Sequence, residues 1–467
     1  MKLELLRYQD TDADRFETRC KGKGMLNHEM GLGKSAIALT NRKRYGPFKR
    51  PIVVVCYAIL KWNWQDECRK WGFDKSVILS TRTPPDTLPS KQAKRSATVY
   101  IVNYDILPDW LDWIKALEPG MIIIDESHAI KSRTTKRYKA VKKLVKRVPK
   151  IATLSGTPVI NTPADIWTTL NILRPKLFPS FMTFASRYCK VQRTRWGLKF
   201  SGGKNLDELN RLLIGEGIMI RRLKKDVLKQ LPPKIRNVIH IDLPPAMRRE
   251  YDMAEKNYVR WLHGVAPHMA ANARRMAAMQ KRNGLKRLIG VLKLRSLMDW
   301  INLFLESSNK KLIVFGIHYK VLVPLHDKYQ KISVLVNGKT PEKDRKGLVK
   351  KFMKNPKCRI FFGNIQAAGT GLNLTAAEAI LKSEIGWTSV EHDQAESRAN
   401  RIGQTEILNV YYMLVRNSIE NDIVALIHRK QKEADLILDG EEREESLKII
   451  TEYVDKAILK RVKGRKK

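Results

Sequence analysis

The chain has 467 residues, enough for two or three domains with well-buried cores, and its 89 Lys and Arg against 47 Asp and Glu give a formal charge of +42. Such an excess attracts nucleic acid or anionic lipid, but no apolar run approaches the roughly 18 residues of a membrane span, so lipid is the weaker partner. The five cysteines (Cys20, Cys56, Cys68, Cys189, Cys358) lack CxxC or other metal spacing and read as free thiols of a reducing compartment, and the start MKLELLRYQD has no signal-peptide core.

Residues 28–35 read HEMGLGKS, a glycine-punctuated loop whose strict form would have Gly where His28 stands. Backbone N–H groups of Gly31, Leu32 and Gly33 are suited to cradle phosphate oxygens, Lys34 to meet their charge, and the Ser35 hydroxyl to hold magnesium. Alternation of short apolar runs with helical patterns then begins: PIVVVCY (51–57), ATVYIVNY (97–104), MIIID (121–125) and IATLSGTP (151–158) each read as buried strands. The third delivers Asp125 and Glu126 to the ligand edge of a parallel sheet, Asp125 to hold magnesium through water and Glu126 to activate the attacking water. Trp62, Trp64 and Trp71 sit around a predicted helix, where core packing is favoured over base stacking. Between Lys131 and Lys150 ten Lys or Arg occur without an acid.

Near Leu231 the pattern breaks at LPPK, and residues 244–309 read as helices rich in Met, Arg and Ala, with eight basic residues between Arg274 and Arg295. Strands resume at KLIVFGI (311–317), KISVLV (331–336), CRIFFGN (358–364) and ILNVYYM (407–413). AAGTGLNLTAA (367–377) has small residues that permit close backbone approach. In QAESRANRIGQ (394–404), Arg398 and Arg401 are three apart, so on a helix they share a face and can reach one phosphate. The last twelve residues hold seven Lys or Arg and read as a disordered, auxiliary tail. The expected fold is α/β: two doubly wound parallel-sheet lobes, residues 1–240 and 310–435, which the family resemblance given next implies are RecA-like, with a helical insertion at 241–309 and a basic tail at 436–467.

Taken in order, LRYQ, HEMGLGKS, VVVCYAILKWNWQDE, DESHAIKS, LSGTPVINTPADIW, IMIRRLKKDVLKQLPPK, AAGTGLNLTAA and QAESRANRIGQ resemble the motif series of the Swi/Snf family within superfamily-two helicases, over residues 1 to about 435. The passage from Ser201 to Lys234 is most similar to the annealing-helicase branch that acts at branched or stalled DNA. The resemblance implies that Gln9 reads adenine and that Ser155, Gly156 and Thr157 couple the nucleotide site to a DNA track. It implies further that His128 links the site to the second lobe, a role weighed evenly against a structural one. Gln394, Arg398 and Arg401 would complete the site, with Gly371 and Asn373 matching the preceding motif. His28, Ser155, Ser397 and Asn400 depart from the usual Asp, Thr, Asp and His without removing a phosphate, metal or water-activating group.

The expected function is an ATP- and Mg2+-dependent translocase on duplex or branched DNA that remodels or re-anneals it. The expected state is a monomer, cytoplasmic in a bacterium or virus and nuclear in a eukaryote. A strand-separating helicase, an RNA-dependent ATPase and a non-catalytic DNA-binding scaffold are the alternatives. No branch-binding domain or zinc finger is expected, so recognition of a fork falls to the motor, the insertion or another protein.

Overall fold

A computed structural model describes residues 4–45, 50–194, 197–264, 271–365 and 372–441. The described residues divide into two compact units, one from the start to Gln230 with residues 430–441, the other Leu231–Arg429.

The first unit contains strands β1 (Lys23–Leu26), β2 (Ile52–Cys56), β3 (Ser76–Ile78), β4 (Val99–Asn103), β5 (Met121–Asp125), β6 (Lys150–Leu154) and β9 (Met219–Ile220), plus the pair β7 (Cys189–Thr194) and β8 (Gly197–Gly203). Seven of these form a sheet in the order β3-β4-β2-β5-β6-β1-β9, every pairing parallel, while β7 and β8 pair antiparallel. Val53, Val55, Ile122 and Ile124 face one apolar cluster, and Ile52, Val54, Met121 and Ile123 the other. Burial on both sheet faces explains why these strands read as unbroken apolar runs rather than alternating ones.

Register sets the site. Asp125 pairs with Leu154, Leu154 with Leu26, and Leu26 with Ile220, so four adjacent strands end at one level. The residues that follow, Glu126, Ser155, Asn27 and Arg221, leave the sheet side by side at its carboxyl edge, where doubly wound sheets bind ligands.

The second unit has strands β10 (Lys234–Ile241), β11 (Leu312–Gly316), β12 (Ser333–Val336), β13 (Ile360–Asn364), β14 (Ala379–Lys382) and β15 (Leu408–Val415), in the order β10-β15-β14-β11-β13-β12, again wholly parallel. Helices Pro245–Gly264, Ala271–Leu292 and Leu294–Ser307 occupy the stretch read as a helical insertion. The unit boundary falls between Gln230 and Leu231 rather than at 240, because β10 joins the second sheet along its whole length through β15. The helix Ile419–Asp439 extends into the segment read as the tail, and residues 442–467 lie outside the described residues. Among the described residues no helix is long and apolar enough to cross a membrane.

Candidate nucleotide site

The loop 27–33 links β1 to the helix Lys34–Tyr45. Gly31 and Gly33 have φ of +85° and +74°, a left-handed backbone that side chains resist, and a Cβ on Gly33 would meet the Gln9 amide at 2.3 Å. The Lys34 Nζ donates to the carbonyls of His28 (2.9 Å) and Glu29 (3.4 Å), folding the ammonium over its own loop. Burial lowers its pKa to about 8, against the pull of Glu126 and Asp125. An ammonium so desolvated gains most from a new anion. Ser35 stands in the first turn of the helix, whose N-terminus favours negative charge.

Gln9 is buried on the helix Arg7–Thr18. Its Nε2 donates to the Leu32 carbonyl (3.4 Å) and the Tyr8 hydroxyl (3.2 Å), while its Oε1 accepts from the Leu6 N–H (3.0 Å). Gln9 is thus in contact with the phosphate loop itself.

At the end of β5, Asp125 Oδ1 accepts from the Glu126 N–H (3.0 Å) and Oδ2 from the Trp64 indole N–H (2.8 Å), while the Tyr104 hydroxyl donates to the Asp125 carbonyl (2.6 Å). Burial and then the Glu126 carboxylate push the Asp125 carboxyl up to about 6, opposed by Trp64 and Lys34. Trp64 is in the core, as its sequence context suggests, but its N–H aims the metal acid. Glu126 has φ +49°, a conformation that costs a residue with a side chain about 1–2 kcal/mol and is held by its surroundings. The kink turns its carboxylate toward His128, whose Nδ1 lies 3.3 Å from Glu126 Oε2 and 3.5 Å from the Ser155 hydroxyl. His128 therefore bridges the acid pair and the SGT loop.

That loop is tied inward. Ser155 Oγ accepts from the Thr157 N–H (3.2 Å), and a Cβ on Gly156 would meet Met30 of the phosphate loop at 2.8 Å. Met30 packs this closely because position 156 has no side chain.

Two arginines after β9 lock the arrangement. Arg221 donates to the carbonyls of Asn27 and Gly156 and pairs with Asp439 (2.9 Å). Arg222 holds both oxygens of buried Asp12 at 2.8 Å, and Asp12 also meets His28 Nε2 at 3.0 Å. Burial opposes ionisation of Asp12, but hydrogen bonds from Arg222 and His28 prevail and lower its pKa to about 2. Burial depresses the His28 pKa in turn, despite Asp12.

In the second unit, Gln394 lies on the helix Ser389–Glu396. The expectation that Arg398 and Arg401 share a helical face is corrected here: the helix stops at Glu396, and both arginines follow in turns. Ser397 Oγ donates to the Gln394 carbonyl (2.8 Å), competing with helix continuation, and the Arg398 carbonyl accepts from the Leu374 N–H (2.9 Å). Arg401 Nη1 donates to the Leu372 carbonyl at 3.5 Å, so the turn is laced to the segment after Gly371. Gly371 itself lies outside the described residues, and Asn373 is exposed.

Beneath this turn Glu396 is wholly buried and accepts from Lys234 (2.8 Å), Arg236 (2.8 and 3.1 Å) and Tyr412 (2.5 Å). Its carboxyl is held well below the usual range because the surrounding cations outweigh burial. Glu396 anchors the arginine-bearing turn to β10 and β15. Trp64 is noted in the sequence only as core, and Arg221, Arg222 and Glu396 fall inside quoted motifs, but no local spacing gives these residues or Asp12 their roles, since each acts through a partner far along the chain.

The residues brought together in the first unit fit a nucleoside triphosphate with a divalent cation: a bare-backbone phosphate loop, one buried ammonium, a helix-start hydroxyl and a strand-end acid pair. The model of the SNF2-related domain matches residues 13–296 and that of the helicase conserved C-terminal domain residues 292–403. The mouse DNA annealing helicase and endonuclease ZRANB3 is 30% identical over 457 residues, covering 94% of this chain and 41% of the mouse protein. The Xenopus tropicalis SWI/SNF-related matrix-associated actin-dependent regulator of chromatin subfamily A-like protein 1 is 31% identical over 434 residues, covering 90% and 44%. The chain thus spans less than half the length of either relative. The Sulfolobus solfataricus SWI2/SNF2 ATPase core in complex with dsDNA aligns with a TM-score of 0.43 at 22% identity, over 94% of each chain. With an SNF2-related domain over more than half its length and a helicase C-terminal domain behind it, the chain belongs to the SNF2-related family of ATPases.

Proposed function

We propose that this protein hydrolyses ATP to track along double-stranded DNA and to remodel or re-anneal it. One observation supports this above all: the phosphate loop, Asp125 with Glu126, and the Ser155–Thr157 loop leave adjacent strands at one level, bridged by His128. Bound Mg2+ neutralises phosphate charge and aligns the triphosphate. Lys34 holds the phosphate charge, Ser35 and Asp125 ligate the cation, and Glu126 takes the proton of the attacking water. Gln9 reads the adenine edge once it exchanges its bond to Leu32. Arg398 and Arg401 supply charge to the transferring phosphoryl group and Gln394 an uncharged hydrogen-bonding amide, while Gly371 belongs with the coupling residues. His128, Ser155, Gly156 and Thr157 pass the state of the nucleotide toward the DNA track.

The excess of basic residues supports a phosphate-backbone partner, and the two relatives are named as a DNA annealing helicase and a chromatin regulator. The test is ATPase rate with no nucleic acid, single-stranded DNA, linear duplex, forked DNA and RNA in parallel. Stimulation by duplex and fork above single strands and RNA is expected. Best stimulation by RNA would transfer the assignment to the RNA-dependent class.

A further inference from the structure

The β7–β8 ribbon of the first unit plays no part in the nucleotide site. Its pairing Val191↔Phe200 and Arg193↔Leu198 puts those four side chains on one face, and Lys190, Gln192, Lys199 and Ser201 on the other. Lys190 to Arg193 and Gly197 to Lys199 are exposed residue after residue, with Val191 36% and Leu198 46% accessible. Beyond Cys189 and Phe200 the ribbon buries neither face, whereas antiparallel sheets ordinarily bury one. From Lys190 to Lys204 the sequence holds five Lys or Arg and no acid. The ribbon is therefore a basic strip with uncovered apolar side chains.

Its base is firmly seated. The Phe200 ring meets Phe181 edge-on at 5.2 Å, Phe181 meets Trp167 at 5.4 Å, and the Arg133 guanidinium lies 4.5 Å over Phe181. Arg133 follows DESHAIKS, and Trp167 follows the SGTP segment, where Asp165 accepts from the N–H groups of Ile160 and Asn161. Phe181 thus joins the ribbon to the segments that follow DESHAIKS and SGTP.

We propose that the β7–β8 ribbon is the element that engages DNA at a branch, where base pairing ends. This rests on the reading of the chain as a DNA motor. Lys190 and Lys199 hold backbone phosphates, and Val191 and Leu198 lie against unstacked bases. Intact duplex offers phosphates and polar base edges, so it satisfies the lysines but leaves the apolar pair uncovered. Apolar side chains are covered where stacking is broken. Binding at the ribbon reaches the nucleotide loops through Phe181.

The test uses the full chain and two DNAs of equal length, a linear duplex and a three-way fork. ATPase is titrated with each for the parent, for Lys190→Ala with Lys199→Ala, and for Val191→Ser with Leu198→Ser, with melting temperature confirming that each exposed pair leaves the fold intact. The response to linear duplex should be unchanged in both variants. The fork concentration for half-maximal stimulation should rise several-fold in both. The salt slope for the fork should fall by about two in the lysine variant, one for each phosphate no longer neutralised, and stay unchanged in the serine variant. Fork responses equal to the parent's would overturn the proposal and leave the ribbon as a protein-docking surface. An equal fall on both DNAs would overturn it in favour of a general track, and a parent that responds to duplex and fork alike would overturn the ribbon's role alone. A parent that ignores both DNAs would remove the motor reading and the ribbon's role together.

Discussion

The His28 imidazole lies 3.0 Å from the Asp12 carboxylate, which joins the phosphate loop to the helix that carries Gln9. With Arg222 on the same carboxylate, three distant segments share one buried charge. Asp12 thus brings a buried carboxylate to His28 from the neighbouring helix.

Asp12 should therefore impose a definite pH dependence on stability. Its folded pKa of about 2 lies below the ordinary 3.8, so the contribution is fully present above about pH 4 and is lost as pH falls toward 2. A shift of that size corresponds to about 2 kcal/mol. Urea midpoints for the parent and Asp12→Asn should differ by a constant amount above about pH 7, where His28 is neutral folded and unfolded, and the gap should shrink as pH falls from 4 toward 2. A gap that persists undiminished at pH 3 would contradict the linkage.

Lys34→Ala should abolish ATP turnover while DNA binding, measured by anisotropy, stays close to the parent's. Glu126→Gln should bind nucleotide and stall, because Asp125 keeps its own bonds to Trp64 and the backbone. Parent-like hydrolysis in the first variant, or loss of nucleotide binding in the second, would refute the role concerned.

Arg401→Ala should reduce kcat on the order of a thousandfold with little change in ATP affinity, as expected for charge delivered in the transition state. Arg398→Ala should fall in the same direction. An effect confined to KM would assign these arginines to ground-state binding instead.

Trp64→Phe keeps most of the buried volume but removes the N–H that aims Asp125. The Mg2+ concentration for half-maximal activity should rise about 10–100-fold, the usual effect of removing a partner behind a metal ligand. Saturating Mg2+ should recover most of the rate. If the Mg2+ dependence is unmoved and only kcat drops, the tryptophan acts on something other than the cation.

Much of the architecture is legible in the sequence because parallel strands buried on both faces are written as apolar runs. MIIID marks β5 to the residue, six of the eight runs read as strands contain a whole strand, and the runs 151–158 and 407–413 overlap β6 and β15, which extend past them. The strands that escape notice have a reason to do so. β1 is KGML, four residues opening with Lys and Gly, although it lies between β6 and β9 and launches the phosphate loop. β10 is KIRNVIHI, and its Lys234 and Arg236 look like solvent residues until buried Glu396 is placed beside them. Motif residues of the site are likewise visible, but their supports are not. Asp12 and Arg222 are 210 residues apart and Trp64 and Asp125 are 61 apart, so no local spacing announces either pair. The turn at Arg398 is hidden because a helical periodicity does not reveal that Ser397 ends the helix.

The helix Ile419–Asp439 changes unit between Arg429 and Lys430. Ala434, Ile437 and Leu438 fill the first unit's core, Asn210 donates to the Ile437 carbonyl, and Asp439 completes Arg221. During synthesis the ribosome must release the entire second unit before the first can close, so the N-terminal lobe waits, unsealed, for residues made some two hundred positions later. A fragment ending at Gln230 would keep that seam open permanently, and a peptide spanning residues 430–441 supplied in trans is the patch that should close it.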